Sequence, residues 1–209
     1  MRAIAKGAEP HSLTFYRAQP GSNYDDYQEK ADLRASLVTE QRGLCCYCMS
    51  RIINDPLRMK IDHWRAQSSD ASLQLNYANL LGACLGGQGL PTDSQHCDTK
   101  KANSDLKWNP AVAAHAIESR VRYRSDGTIY SEDAEFDEQL HTVLGLNLPF
   151  LKNNRKAVLD SLLNWWQTTK DARQKIQAQI DRRAGVHGNL EAYSPVALWF
   201  LRQRLGAVA

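Results

Sequence analysis

The sequence of 209 residues has no apolar run of the length that a membrane-spanning helix needs, which is about 18 to 20 residues. Its first stretch, MRAIAKGAEPHSL, has no apolar core of the kind found in secretory signals. Internal repeats, low-complexity tracts and Gly/Ser-rich linkers are also absent. Apolar residues make up 43% and charged residues 23%, which is the mixture of a globular protein. We therefore expect a soluble, cytoplasmic protein.

The sequence also has little net charge, only +3, so the total excludes neither nucleic acid nor protein partners. Its distribution is more informative, because residues 139 to 209 carry ten basic and four acidic side chains. Such an excess fits a phosphate backbone or a partner protein, and it also fits the solvated face of long helices.

Three regions follow from changes in pattern. Residues 1–44 predict an N-terminal arm with a helix over 24–42 that ends at Gly43. Residues 45–109 contain the cysteines, an alternating run RMKIDHW typical of a strand, a second apolar run YANLLGACL, and helical signals after Cys97. The fold class predicted from these elements is α+β.

Residues 110–209 form the third region. A β-hairpin is predicted around the Asp126-Gly127 pair, because this dipeptide between Val121 and Tyr130 is a strong turn signal. The rest, from Ala134, has helical patterning, with one long helical stretch that stops at Gly185 and a last helix over 194–205.

The five cysteines carry the first chemical signal. Cys45 and Cys48 have the C-x2-C spacing that allows two thiolates to bind one tetrahedral zinc, and Cys84 and Cys97 are available to complete a four-cysteine site. The same residues are also compatible with buried thiols that bind nothing, or with redox chemistry. Cys46 has no predicted partner and is expected to pack as a small apolar residue.

Four short blocks occur in a characteristic order: CCYC, KIDHWRAQ, LNYANLLGAC and HCDTKKAN. In this order they resemble the zinc-containing HNH endonucleases. The opening residues and the later block LGLNLPFLKNNRKAVL are similar to the HNH nucleases of retrons and of Septu anti-phage systems. The resemblance implies a central ββα-metal core with structural Zn²⁺ and a catalytic Mg²⁺ or Mn²⁺.

The resemblance also implies roles for individual residues. His63 matches the general base, Asp62 a ligand of the catalytic cation, and Asn79 the residue that orients the imidazole of the base. Asp98 stands where the family usually has His or Asn, and it is the expected second cation ligand, with His96 as the alternative. His96 is also an alternative zinc ligand. A carboxylate is a good ligand for Mg²⁺, so the departure at Asp98 changes charge more than capability.

Lys100 and Lys101 follow directly and are expected to contact nucleic-acid phosphates. By resemblance, an ATPase partner controls the nuclease, and the basic C-terminal region is the expected docking or substrate-binding surface. DNA is the expected substrate. Two alternatives remain open: cleavage of RNA, for example tRNA, by the same residues, and a zinc-stabilised nucleic-acid-binding module without activity.

Overall fold

The structure is a computed structural model that describes residues 1–185 and 187–206. Within these residues, helices surround two small antiparallel sheets, which confirms the α+β class. The helices are α1 (His11–Arg17), α2 (Lys30–Glu40), α3 (Cys97–Lys101), α4 (Ile117–Arg120), α5 (Ala134–Glu138), α6 (Pro149–Thr168), α7 (Ala172–Ala184) and α8 (Ser194–Gly206). The strands are β1 (Met59–His63), β2 (Leu80–Cys84), β3 (Arg122–Tyr123) and β4 (Ile129–Tyr130).

Strands β1 and β2 form the sheet at the centre of the molecule. They pair antiparallel, with Met59 opposite Cys84 and His63 opposite Leu80. The connection 64–79 between them contains short 3₁₀ turns, and α3 packs against β2 later in the chain. The order strand, strand, helix thus holds within residues 59–101.

The N-terminal helix is shorter than predicted. The expected helix over 24–42 forms only over Lys30–Glu40, because the side chain of Asn23 accepts a hydrogen bond from the N–H of Asp26 and stabilises a turn instead. Helices α1 and α2 bury Leu13 and Leu37 in an apolar cluster that also contains Leu80 of β2. The N-terminal arm therefore covers one face of the central sheet.

The hairpin of β3 and β4 is confirmed at the predicted place. Gly127 in its turn has φ +83°, and a Cβ added there would lie 2.1 Å from the carbonyl oxygen of Lys152 in α6. Only glycine permits both this backbone conformation and this close approach.

The predicted helical stretch before Gly185 is two helices, not one. The chain breaks between α6 and α7, where Asp171 adopts a left-handed conformation with φ +56°. The break lets α6 and α7 both pack on α8, which buries Leu162, Ile176 and Leu201 in one cluster. Tertiary burial outweighs the helical propensity of the linking residues.

The largest apolar cluster contains residues from all three predicted regions. It includes Ile4 near the N-terminus, Tyr47 in the cysteine-containing turn, Leu140 after α5, and Val196 in α8. No helix in the described residues is both long and apolar enough to cross a membrane.

A buried cation, Arg155 of α6, joins several of these elements. Its side chain is 1% exposed, and it donates to the carbonyl oxygens of Gly127 at 2.6 Å and Leu146 at 2.7 Å, and to Oδ1 of Asn147 at 3.1 Å. Burial lowers the pKa of Arg155. The guanidinium fork fixes the hairpin turn and the segment after α5 to the same helix.

Replacing Arg155 by Met should lower the free energy of unfolding by about 3 kcal/mol, because several buried acceptors lose their donor. Urea unfolding followed by circular dichroism measures this. Lys156→Met, next in the helix but in an exposed pair with Asp160, is the control and should change stability by less than about 0.5 kcal/mol. Equal effects of the two substitutions would contradict the bridging role of Arg155.

Candidate metal centre and adjacent active-site cavity

Four cysteines converge from three separate parts of the chain. Cys45 and Cys48 lie in the turn after α2, Cys84 ends β2, and Cys97 begins α3. Their Sγ atoms all lie within 4.8 Å of one another. The structure thus brings together the four cysteines that the sequence grouped.

The distances between the sulfur atoms fit zinc ligation. Thiolates at about 2.3 Å from a tetrahedral zinc lie about 3.8 Å from each other. The Sγ atoms of Cys45 and Cys97 are 3.8 Å apart, and those of Cys48 and Cys84 are 3.7 Å apart. A disulfide needs about 2.05 Å, and all five cysteines are free. The arrangement therefore favours a metal such as zinc over a redox pair.

The turn that contains Cys45 and Cys48 is shaped for this role. The N–H of Met49 donates to the carbonyl oxygen of Cys45, and Met49 has φ +67°. Burial raises the pKa of the Cys45 thiol, but hydrogen bonds from the neighbouring cysteines outweigh burial and bring it well below its usual value. A thiolate is the form that binds zinc.

His96 and Cys46 lie beside the cluster without completing it. Nε2 of His96 is 3.7 Å from Sγ of Cys84, but the ligand atoms that lie within 4.8 Å of one another are those of the four cysteines. Its ring also packs edge-on against Phe150. Cys46 is 1% exposed, and burial raises the pKa of its thiol, as suits an apolar packing residue.

Replacing Cys48 by Ser should lower the zinc content and the melting temperature, because structural zinc contributes directly to folding free energy. Metal analysis by mass spectrometry and thermal unfolding with and without chelator measure the two effects. Cys46→Ala is the matched control, since this buried cysteine lies in the same turn outside the four-thiol cluster. Normal zinc content in Cys48→Ser would remove Cys48 from the ligand set.

A polar cavity of about 260 Å³ is lined by residues of β1 and α3 and of the segments that follow them. Three of its lining residues are Asp62 and His63, which end β1, and Asp98, the second residue of α3. His96 does not line this cavity, so Asp98 is the residue that shares it with Asp62.

Asp62 is held inside the protein by two donors. The Tyr47 hydroxyl donates to Oδ2 of Asp62, and the Lys101 ammonium lies 3.3 Å from Oδ1. Asp62 is 2% exposed, and its pKa is raised to about 7, chiefly by burial and then by the nearby Asp98, although Lys101 opposes the rise. Tyr47 thereby connects the zinc turn to the cavity.

The surroundings of His63 determine which ring nitrogen can act as a base. Nε2 of His63 lies 2.9 Å from the carbonyl oxygen of Gln74, which can only accept, so Nε2 carries the proton. Nδ1 then has the free lone pair, and the amide of Gln67 faces it at 3.3 Å. The Tyr24 ring packs edge-on against the His63 imidazole, with 4.4 Å between the ring centroids. Burial lowers the pKa of His63, which keeps the imidazole neutral.

Asn79 lies in the 3₁₀ turn before β2, and its side chain bonds to backbone groups. Oδ1 accepts from the N–H of Arg65 at 2.8 Å, and Nδ2 donates to the carbonyl oxygens of Arg65 at 3.0 Å and Leu73 at 3.2 Å. The expected orienting contact with His63 is therefore indirect. Asn79 fastens the connection whose residue Gln74 contacts the imidazole.

The structure corrects the expectation for Lys101. This side chain is fully buried, and its ammonium also donates to the carbonyl oxygen of His63 at 2.9 Å, so it does not face a nucleic acid. Lys100 is partly exposed, and its ammonium lies 3.4 Å from the carbonyl oxygen of Thr92. Within α3, only Lys100 of the two predicted phosphate contacts reaches solvent.

Sequence reasoning missed several residues at or next to this cavity. It predicted neither the contact of the Tyr47 hydroxyl with Asp62 nor that of the Gln74 backbone carbonyl with His63. Lys60 was also missed, although a signal was present. Alternation along β1 places Lys60 on the same face as Asp62, and both side chains line the cavity.

The donor set at the cavity fits a hard divalent cation. Asp62 and Asp98 present carboxylate oxygens to one polar space that is large enough for several waters, and Mg²⁺ prefers such oxygen ligands with retained water. The four thiolates suit a softer metal. The described residues therefore bring together a four-thiol cluster and, at the adjacent cavity, two carboxylates.

This geometry defines a class of protein: an α+β fold in which a four-cysteine cluster lies beside a cavity lined by an Asp-His pair. Two relatives are named as retron HNH endonucleases. The relative from retron Ec83 of Escherichia coli is 26% identical over 124 residues, which are 51% of this chain and 48% of that protein. The relative from retron Vc95 of Vibrio cholerae serotype O1 biovar El Tor is 26% identical over 167 residues, which are 76% of this chain and 78% of that protein.

The matched part spans about half of the length of the retron Ec83 relative. No protein-family model matches the sequence.

Proposed function

We propose that this chain is a metal-dependent HNH endonuclease that hydrolyses phosphodiester bonds of DNA. One observation carries the proposal: Asp62, His63 and Asp98 line a single cavity directly beside a four-thiol cluster. The names of the two relatives support the same reaction class.

His63 is the general base of the proposed reaction. Its Nδ1 accepts a proton from a water molecule, which attacks the phosphorus while the 3′ oxygen leaves. The carbonyl of Gln74 stabilises the imidazolium that forms, because its oxygen accepts a hydrogen bond from Nε2–H, with 2.9 Å between the nitrogen and the oxygen. The Gln67 amide must first move away from Nδ1 so that the water molecule can bind there. Gln67 is only partly buried and lines the same cavity, so it has room to turn.

Asp62 and Asp98 would hold the divalent cation, which when bound supplies stabilisation of the negative charge on the phosphate. Tyr47 and Lys101 fix the orientation of Asp62, and the short α3 presents Asp98. Zinc at the four cysteines is proposed as purely structural, because its ligand set is complete and leaves no position for water.

Control by an ATPase partner, as in the Septu-like systems that the sequence resembles, is part of the proposal. The surface for this partner is the C-terminal helical region. On α7, Arg173, Lys175 and Arg182 are exposed, so this helix presents positive charge to solvent. The proposal includes an effector role in a retron or other anti-phage defence system, and the names of the two relatives support the retron context.

His63→Ala should reduce cleavage about 10²- to 10⁴-fold, the usual loss for a general base, while zinc content and folding stay normal. The assay uses supercoiled plasmid and total tRNA with Mg²⁺, Mn²⁺ or chelator, in the presence and absence of the proposed ATPase partner. The exposed His11→Ala is the control and should retain activity.

The outcomes separate the alternatives. Metal-dependent cutting of plasmid that depends on His63 supports a DNA endonuclease, whereas cutting of tRNA alone means the same active site acts on RNA. Full activity of His63→Ala would refute the assignment of the base. No cutting by zinc-loaded protein under any condition would favour the inactive binding module.

A further inference from the structure

The charged side chains of the cavity form two ammonium–carboxylate pairs. Lys101 pairs with Asp62 at 3.3 Å, and Lys60 pairs with Asp98 at 3.1 Å. When both carboxyl groups are ionised, the two positive and two negative charges of these four side chains cancel before a cation binds. A divalent cation must therefore compete with an ammonium group that already neutralises its ligand.

The two lysines differ in their freedom to move. Lys101 has a side chain that is 0% exposed, and its second bond is to the carbonyl oxygen of His63. The Lys60 side chain is 28% exposed and lines the cavity, and its second bond is to the hydroxyl of Thr99 at 2.9 Å. If the Lys60 ammonium leaves Asp98, it can therefore move into water. The Lys101 ammonium is fully buried and cannot do the same.

Resting on the proposed function, we propose that Lys60 is a substrate-binding residue that exchanges partners: it neutralises Asp98 in the empty cavity and contacts a phosphate of the nucleic acid once the cation is bound. The ammonium and the cation carry the same sign and seek the same carboxylate. When the cation binds Asp98, repulsion displaces the ammonium.

The displaced ammonium remains at the cavity. Its four-carbon stem is anchored on β1, two residues before Asp62, and therefore keeps the charge within reach of the reacting phosphate. The anion that enters with the substrate is then its nearest available partner. Lys60 thus has opposite effects on the two ligands: it weakens binding of the cation and strengthens binding of the nucleic acid.

The first test measures cation binding directly. Mn²⁺ is titrated into the zinc-loaded full chain, and free Mn²⁺ is followed by electron paramagnetic resonance. Lys60→Met should bind Mn²⁺ about tenfold more tightly than the unchanged protein, because one competing positive charge is gone. Lys152→Met is the matched control. The Lys152 side chain is 30% exposed and pairs with Asp126 at 2.7 Å, and neither residue lines the cavity. The Lys152→Met protein should bind Mn²⁺ with the affinity of the unchanged protein.

Asp98→Asn identifies the site that is being measured, since it should abolish this binding in either background. If binding depends on Asp98 but Lys60→Met leaves it unchanged or weaker, the exchange is overturned while the proposed function stands. If no variant shows Asp98-dependent binding, both the exchange and the proposed cation site are wrong.

The second test concerns the phosphate contact. A short DNA duplex is bound to His63→Ala protein with Mn²⁺ present, and affinity is measured over a range of salt concentrations. Adding Lys60→Met should reduce the slope of log affinity against log salt by about 0.9, the value for one phosphate contact on duplex DNA. Lys60→Arg should restore the slope. A slope equal to that of the Lys152→Met control would overturn the phosphate contact.

Discussion

The convergence of four cysteine thiols on one point is the constraint on which the rest of the structure depends. It fixes the turn after α2, the end of β2 and the beginning of α3 relative to each other. The same three elements carry Tyr47 and Asp98, and β2 pairs with the strand that ends in Asp62 and His63. Short elements such as the five-residue α3 cannot hold this geometry alone, because a single helical turn is unstable in isolation.

Electrostatic balance is the second constraint. Burying a carboxylate is costly unless it is paired and hydrogen-bonded. The molecule meets this cost at Asp62 with a buried lysine and a tyrosine hydroxyl, each supplied by an element that also carries a cysteine of the cluster. The cavity and the four-cysteine cluster are thus physically connected through Tyr47 and Lys101.

Much of the fold and of the candidate site could be predicted from the sequence because local patterns were strong. The Asp126-Gly127 hairpin, strand β1 and the grouping of the four cysteines all depend on spacing. The break at Asp171 could not be predicted, since packing of both helices on α8 decides it.

The burial of Lys101 could not be predicted either, because it follows from a carboxylate that lies 39 positions earlier in the chain. Contacts of this kind join residues distant in sequence, and no local pattern records them. The role of the Gln74 carbonyl is hidden for another reason: every residue has a backbone carbonyl, so its identity leaves no trace in the sequence.

The attachment of Cys97 to the later part of the chain has a consequence for biosynthesis. The N–H of Cys97 donates to the carbonyl oxygen of Leu144, and the adjoining Leu146 is fixed by Arg155 of α6. A ribosome makes these residues in order, so the last cysteine is not anchored until α6 has emerged. The four-cysteine cluster and the cavity beside it can therefore reach their folded arrangement only after residues 149–168 have been synthesised.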